Sequence, residues 1–274
     1  MKFVILIPAI FICLVACDGD RQRATQMLRR ASAYYYDAQL DPAQAVLDSI
    51  KSMYPKDGTV LKDALQLSRK IDIRNNERIV FLCDSLLPLR EAEFETLKKG
   101  FVYEKDPEYD EEGKYFAKTH SIENHTGRSY IRSWVSEAGK FFLASVYYGS
   151  RPINHKGLKV SIAGGGFAET SLIPADGGLN YTFRDLGMTT QVVTYVDGKD
   201  NGVSMFIYDN RDKRISAEYI GGEKYSITVT ASDKAALVKT IDFASTIAEI
   251  VKIRKEKEKA TGRIEYLKTK VSDL

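Results

Sequence analysis

The stretch YIRSWVSEAGKFFLASVYY, residues 130–148, decides the fold class of this chain. It contains two runs rich in β-branched and aromatic residues on either side of a short turn at 137–140, a pattern typical of a β-hairpin. Further pairs of such runs lie at residues 158–172, 191–208 and 214–230, and each pair surrounds a glycine-containing turn. Strands at these short intervals, without intervening helical patterns, predict an antiparallel β-sandwich or barrel over residues 101–230, including a strand at 203–208.

Glycine separates this β domain from its flanks. Of the 19 glycines, only Gly19, Gly58 and Gly262 lie outside residues 100–222. Glycine costs about 1 kcal/mol in a helix interior, whereas turns with positive φ require it. The flanks are therefore predicted to be helical.

Residues 17–100 carry apolar positions at helical spacing and are predicted to form helical hairpins, with later helices at 59–73 and 76–99. Pro88 is expected to kink or divide the last of them. Residues 231–274 contain no proline and predict one long helix, which would extend about 60 Å if continuous. The predicted fold class is α+β, with these helices forming a stalk around the β domain. In the alternative, the terminal helix is an exposed coiled-coil arm that oligomerises the chain.

The first 16 residues form a signal segment. One charge at Lys2 precedes an apolar run of 14 residues, which would rise only about 21 Å as a helix and is too short to span a hydrocarbon core of about 30 Å. The run ends in Leu14-Val15-Ala16-Cys17, which resembles the lipobox of bacterial lipoproteins at every position. That resemblance implies cleavage after Ala16, diacylglycerol on the Cys17 thiol and an acyl chain such as palmitate on the new amino terminus. A lipid bilayer is then the first expected partner.

Charge and cysteine content exclude two other classes of protein. A formal net charge of +3 provides no basic surface for nucleic acid. Once the leader is removed and Cys17 is acylated, Cys83 is the only free thiol, so no intramolecular disulfide is expected. Cys83 lies in an apolar run and is predicted to be buried.

The chain contains none of the common catalytic or phosphate-binding motifs. Residues 197–202 have a lysine at the third position of a calcium loop, which excludes an EF-hand. The three histidines, His120, His125 and His155, do not have the spacing of metal ligands. We therefore predict no catalytic residue, no metal site and no cofactor, and expect a protein that is not an enzyme. A glycan hydrolase remains the alternative, because its carboxylates need not be adjacent in sequence.

One strand offers a candidate binding face. Alternation places Tyr130, Arg132 and Trp134 on the same side, and Tyr147 and Tyr148 on the next strand are predicted to extend it. Aromatic planes combined with hydrogen-bonding side chains bind sugar rings or peptide backbones. In the alternative interpretation Trp134 belongs to the sandwich core and Arg132 lies along its rim.

Two further resemblances concern larger parts of the chain. Aligning Pro55 with the closing proline of a tetratricopeptide repeat places five residues on its packing positions: Ala31, Tyr34, Ala43, Leu47 and Ile50. The order of leader, helical segment, β domain and terminal helix resembles uncharacterised envelope lipoproteins of the Bacteroidota, as do the stretches at 83–88 and 153–155. This resemblance implies an outer-membrane anchor that faces the periplasm or the cell surface. The function expected is binding or assembly of an envelope protein or glycan; an oligomerising scaffold is a further alternative.

Overall fold

A computed structural model describes residues 13–108, 110–120 and 125–271 of the chain. These residues form two compact units. The first unit contains the chain up to Leu86 together with residues from Arg254 onward, and the second runs from Leu87 to Ile253. Two long helices take part in both units, and each unit has its own hydrophobic core.

The described residues form an α+β fold, as predicted. The helices are α1 (Cys13–Tyr36), α2 (Leu40–Met53), α3 (Gly58–Lys98), α4 (Val203–Asp209) and α5 (Ala231–Lys268), and a short 3-10 helix covers Lys118–His120. The strands are β1 (Phe101–Glu104), β2 (Lys114–Ala117), β3 (Tyr130–Ser136), β4 (Phe141–Gly149), β5 (Gly157–Ile162), β6 (Phe167–Glu169), β7 (Asn180–Asp185), β8 (Met188–Tyr195), β9 (Ile215–Ile220) and β10 (Tyr225–Thr228).

The core of the first unit lies between α1, α2 and the first part of α3. Small and branched side chains fill it, because residues such as Ala31 and Ala43 let the helices approach closely while Leu47, Ile50 and Ile71 bury their larger surfaces. The chain reverses between α1 and α2 at Ala38, whose φ is 58°. The four residues of the predicted lipobox lie within α1, whereas residues 1–12 and the side chains of residues 13–18 lie outside the described part of the structure.

Helix α3 is longer than predicted. The predicted gap between helices at residues 73 and 76 is wrong, because Asn76 is helical and its side chain bonds to Asp72 one turn earlier, donating to the carbonyl oxygen at 2.7 Å. Pro88 also does not divide the helix. Pro88 is exposed, so the carbonyl group that loses its backbone partner there is accessible to water.

Two antiparallel sheets form the β domain, with strand orders β1-β2-β3-β4-β8-β7 and β10-β9-β5-β6. They share one core, to which the larger sheet contributes Ile131, Leu143 and Val193 and the smaller sheet Leu158 and Ala217. The sandwich alternative is therefore correct and the closed barrel is wrong. The predicted hairpin is confirmed as β3 and β4, which turn at Gly139 with a φ of 83°. A Cβ atom at Gly139 would lie 2.8 Å from the Ala248 backbone nitrogen, so this turn has no room for a side chain.

The predicted strand at 203–208 is wrong, because these residues form α4. Val203 and Ile207 are four residues apart and both are fully buried, which matches one face of a helix rather than one side of a strand. The Asp200 side chain accepts hydrogen bonds from the backbone and hydroxyl groups of Ser204 in the first turn. This contact satisfies donors that a helix start leaves unpaired.

Helices cover the part of the larger sheet that extends beyond the smaller one. Phe94 of α3 and Phe243 of α5 pack against Phe101 and Tyr115 of the first two strands. The ring centroid of Phe243 lies 4.4 Å from that of Phe101 and 5.3 Å from that of Phe94. One face of the six-stranded sheet is thus covered along β1 to β4 and β8 by the second sheet and by helices.

Candidate functional site

The opposite face of the six-stranded sheet carries an unusual set of side chains. We call it the outer face and define it by residues that the strand registers place on the same side: Phe116, Tyr130, Arg132, Trp134, Phe142, Tyr148, Tyr181 and Phe183. Small residues such as Ala144 and Thr194 lie between these larger side chains. Seven of the eight defining residues are aromatic. Phe116 and Tyr130 are buried, whereas the other five rings are at least partly exposed.

Three rings form a row across adjacent strands at one end of the outer face. Trp134 is the direct cross-strand partner of both Phe116 and Phe142. Its ring centroid lies 5.1 Å from that of Phe142, with an interplanar angle of 7°, and 5.9 Å from that of Phe116. The Arg132 guanidinium carbon lies 4.1 Å above the Phe116 ring, which is a cation–π geometry. The row therefore combines parallel planes with a positive charge.

Trp134 is half-buried, and its indole N–H has no hydrogen-bond acceptor among the described residues. Buried donors are nearly always paired in folded proteins, because an unpaired one loses its hydration without compensation. The nitrogen itself is covered by protein, so the part of Trp134 that a ligand can touch is its ring.

An open groove borders the row on the side of the β1–β2 loop. Arg132, Phe116 and Lys114 line it together with the acidic residues Glu104 and Asp106. Lys114 donates a hydrogen bond of 2.5 Å to Asp110, and this bond lowers the pKa of the Asp110 carboxyl group. The residues that line this groove therefore place carboxylate and ammonium groups beside the aromatic row.

Four of the five binding residues predicted from sequence share the outer face: Tyr130, Arg132, Trp134 and Tyr148. The prediction is wrong for Tyr147, which points to the opposite side and is buried in the sandwich core. Its hydroxyl group donates to the Arg151 carbonyl oxygen at 2.8 Å, and burial raises its pKa. Because successive side chains of a strand point to opposite faces, the neighbours Tyr147 and Tyr148 cannot share one face.

A buried charged cluster packs against Tyr130 at one end of the outer face. His125 and His120 pack on the Tyr130 ring, with centroids 4.5 and 5.5 Å from it. His120 Nε2 lies 2.8 Å from Asp233 Oδ1, and His125 Nε2 lies 3.4 Å from the same oxygen. Arg128 Nη2 donates to that oxygen at 2.8 Å. Although burial by itself raises the pKa of Asp233, the hydrogen bonds from His120 and Arg128 hold it well below its usual range.

The sequence patterns did not connect these residues, because Asp233 lies more than one hundred positions after the histidines. The only local signal was Thr230, three residues before Asp233, which has the spacing of a capping box. The structure shows the corresponding contact, since the Asp233 backbone nitrogen donates to Thr230 Oγ1 at 3.1 Å at the start of α5.

His120, His125 and Asp233 are ligand types that bind zinc or iron, and their donor atoms lie within 4.8 Å of one another. The positive charges around these three residues would repel a metal cation, however. Arg128 already neutralises the one carboxylate, and the amino-terminal end of α5 adds positive potential. A divalent ion would share Asp233 Oδ1 with a guanidinium group. The cluster is better explained as a hydrogen-bonded network that holds the loop before β3 against α5.

A second buried network lies inside the sandwich. Ser145 Oγ is 3.0 Å from His155 Nε2 and 2.9 Å from the Tyr195 hydroxyl oxygen. Burial lowers the pKa of His155 to about 4 and raises that of Tyr195 to about 12. The serine and histidine are almost completely covered by protein, so this pair is placed to stabilise the core and has no access to a substrate.

The carboxyl groups do not favour the hydrolase alternative. Among the described acids, every shifted pKa is lowered, namely those of Asp110, Glu137, Asp176 and Asp233. A general acid for glycoside cleavage requires a raised pKa.

No family model, curated protein or solved structure matches this chain. None of the described helices is both long and apolar enough to cross a membrane.

Proposed function

We propose that this chain is a lipid-anchored envelope protein whose outer face binds an extended glycan. The anchor rests on the lipobox Leu14-Val15-Ala16-Cys17, with acylated Cys17 in the outer membrane and the protein facing the periplasm or the cell surface. The glycan-binding role rests on the outer face. No covalent chemistry is part of this proposal.

The chemistry of the outer face suits a sugar better than a protein partner. A pyranose ring has an apolar C–H face, which packs on the electron-rich face of an aromatic ring, and a rim of hydroxyl groups. Trp134 and Phe142 supply parallel planes, and Arg132, Lys114 and Glu104 supply donors and acceptors in the groove beside Phe116. Protein interfaces, in contrast, are depleted of charge at their centres.

The size of the outer face favours a chain of sugars. Its partly exposed rings extend from Trp134 on β3 to Phe183 on β7, across three gaps between neighbouring strands. At about 4.8 Å per gap, the two ends lie roughly 14 Å apart. Phe183 and Tyr181 are exposed and stacked at 6.3 Å at the β7 end, whereas Phe116 on β2 is buried beneath the Arg132 guanidinium group.

The observation that carries the proposal is the row of rings, in which the parallel Trp134 and Phe142 rings are both partly exposed beside Phe116. A sugar ring can pack on their exposed surfaces. Trp134 is also the single tryptophan of the chain, so its fluorescence reports directly on the site.

The test is a titration of the folded protein with soluble envelope polysaccharides and their oligosaccharide fragments, followed by tryptophan emission. We expect a saturable emission change that grows with oligosaccharide length until the outer face is filled. Phe142→Ala should weaken binding at least about ten-fold, the equivalent of roughly 1.4 kcal/mol. Phe167→Ala, which removes an exposed ring from the smaller sheet, is the matched control and should bind normally. An emission spectrum unchanged by every polysaccharide would refute glycan binding.

The anchor has a separate test. Wild-type protein should fractionate with the outer membrane and incorporate labelled palmitate, whereas Cys17→Ser should do neither. Membrane association of the Cys17→Ser variant equal to that of the wild type would show that acylation does not anchor the protein.

A further inference from the structure

One end of the helical bundle in the first unit carries an open cavity of about 490 Å³. Asp20 and Arg21 of α1 line this cavity together with residues 53–58, where α2 ends and α3 begins. The turn between α2 and α3 therefore lies beside the part of α1 that follows Cys17. We call four residues of this turn the base turn: Met53, Tyr54, Pro55 and Lys56.

The base turn is attached to the bundle but exposes an apolar and a basic side chain. The Tyr54 backbone nitrogen donates to the Ile50 carbonyl oxygen at 2.9 Å, and Tyr54 packs against the core of the first unit. Met53 is 62% exposed, and Lys56 is exposed as well. Single exposed hydrophobic residues are common, so exposure alone identifies no partner for Met53. The position of Met53 relative to the proposed anchor identifies one.

The base turn lies close to the residue that would carry the lipid. Cys17 precedes Asp20 and Arg21 by three and four residues in α1, which corresponds to about 4.5–6 Å along a helix at 1.5 Å per residue. Diacylglycerol on the Cys17 thiol has its glycerol at the level of the lipid headgroups. Acylated Cys17 therefore brings the base turn to the membrane surface, and this step rests on the lipid anchor proposed above.

The opposite end of the α1–α2 hairpin lies far from Cys17. Helix α2 separates Met53 from the turn between α1 and α2 by 14 residues, or about 21 Å. Tyr36, beside that turn, is 78% exposed. The hairpin thus exposes one large side chain near the proposed anchor and another well above it.

We propose that the base turn is a second membrane contact, which rests on the phospholipid bilayer beside the anchor. Met53 lies at the boundary between headgroups and acyl chains, where its exposed side chain leaves water. Tyr54 combines an apolar ring with a polar hydroxyl group, which is typical of side chains at membrane interfaces. Lys56 and Arg21 donate hydrogen bonds to lipid phosphate groups.

The acids nearest to the base turn have partners within the first unit. Asp57 Oδ1 accepts a hydrogen bond of 3.2 Å from the Val60 backbone nitrogen at the start of α3. Asp20 lies 3.9 Å from the Arg23 guanidinium group. These contacts offset the repulsion that the two carboxylates would otherwise exert on lipid phosphates.

The anchor makes such a small contact sufficient. A single methionine with two basic side chains does not hold a free protein on a membrane. Acyl chains at Cys17 keep the base turn next to the lipid, however, and this high effective concentration favours a contact that would otherwise be too weak. The second contact restricts how far the first unit tilts on the membrane.

Quenching of tryptophan emission by brominated phospholipids tests the proposal. The mature chain from Cys17 onward, carrying Cys83→Ala and Trp134→Phe, would be coupled through Cys17 to a maleimide phospholipid in vesicles. Met53→Trp then places the only tryptophan in the base turn. We expect bromine at the headgroup end of the acyl chains to quench this emission at least about five-fold more than that of Tyr36→Trp in the same background, because contact quenching does not extend over roughly 21 Å.

Tyr36→Trp is the matched control, since both replaced side chains are exposed at the ends of one hairpin. Circular dichroism verifies that both variants keep the helical content of the wild type. Equal quenching of the two variants overturns the proposal. A blue shift of the Met53→Trp emission that grows with protein density on the vesicle, without quenching, would mean that a second copy covers the base turn and also overturns it.

The chemical tether separates this test from that of the anchor. It holds Cys17 at the vesicle whether or not the cell acylates this residue. Fractionation of Cys17→Ser measures the anchor in the cell, and the Trp134 emission titration measures glycan binding. Failure of the anchor or of glycan binding is therefore distinguishable from failure of the second membrane contact.

Discussion

The two faces of the six-stranded sheet are built from the same strands but have opposite roles. On the inner face Ile131, Leu143 and Val193 are almost fully buried beneath the second sheet. On the outer face Trp134 and Phe142, one residue removed from that core, are only half-buried. The difference shows that alternation assigns side chains to a face, whereas the element packed against each face decides what the side chains do.

Polar groups differ between the faces in the same way. Inside the sandwich, His155 and Ser145 bond to each other and are neutral. At the Tyr130 end of the outer face, Asp233 and Arg128 form a charged pair, and Arg128 is partly exposed. A low-dielectric core excludes charge unless it is paired, while an edge that reaches water can hold an ion pair.

The largest loss of stability is expected from disrupting the Asp233 cluster at the Tyr130 end of the outer face. Asp233→Ala leaves a partly buried guanidinium group and two histidines without their shared acceptor, and we expect the free energy of unfolding to fall by about 3–5 kcal/mol. Chemical denaturation at neutral pH measures the loss. Glu258→Ala, an exposed acid of the same helix, is the control and should change stability by less than about 0.5 kcal/mol. Because the pKa of Asp233 is lowered, the wild type keeps this stabilisation at neutral pH and loses it only below about pH 4. Equal losses for the two variants would show that the cluster is not structural.

Neighbouring residues on β4 give the most direct comparison of the two faces. Leu143→Ala should lower the free energy of unfolding by about 2–5 kcal/mol, since it opens a cavity in the sandwich core. Phe142→Ala removes a larger side chain but should cost less, because Phe142 is half-buried on the outer face. Urea denaturation of both variants tests this order. A greater loss for Phe142→Ala would mean that the outer face belongs to the core.

The lowered pKa of His155, which lies inside the sandwich, predicts that the stability of the protein depends on pH. Its pKa is about 4 in the folded state and about 6.5 when unfolded, so the unfolded chain binds the proton first as the pH falls. Stability attributable to His155 should therefore decrease by about 3 kcal/mol between pH 6.5 and pH 4 and then level off. His155→Gln, which does not titrate, should remove this decrease. An unchanged pH slope in that variant would contradict the assignment.

The smallest expected effect on stability is at Arg132. Arg132→Ala removes the cation–π contact of a partly buried guanidinium group with the Phe116 ring, worth about 0.5–1 kcal/mol. Its effect on glycan binding should be larger, because the guanidinium group is a main donor beside Trp134. Thermal unfolding and the Trp134 emission titration, carried out on the same samples, compare the two effects. Arg184→Ala on β7 is the matched arginine control and should leave binding unchanged.

Local patterns predicted much of this fold. The β3–β4 hairpin, the antiparallel sheets and the helical flanks follow from period-two alternation, turn residues and the distribution of glycine, each of which acts within about twenty residues. Alternation also brought Tyr130, Arg132 and Trp134 to one face. The same rule was not applied to Tyr147 and Tyr148, which cannot share a face, and Tyr147 belongs to the core.

Predictions failed where contacts between distant segments decided the outcome. The sequence pattern of Val203–Asp209 was interpreted as a strand. Burial of Val203 and Ile207, which are four residues apart, makes this segment a helix. Pro88 is compatible with a continuous α3 because it faces water. In both cases the surroundings overrode a local preference worth only a few kcal/mol.

By itself, the sequence determined the class of fold and the face on which Trp134 lies, because these depend on spacing along the chain. Only the tertiary structure decided that His120, His125 and Arg128 meet Asp233 and that Lys257 of α5 pairs with Asp84 of α3. These features depend on which surfaces are removed from water when distant segments pack. Burial of that kind has no periodic signature in the sequence.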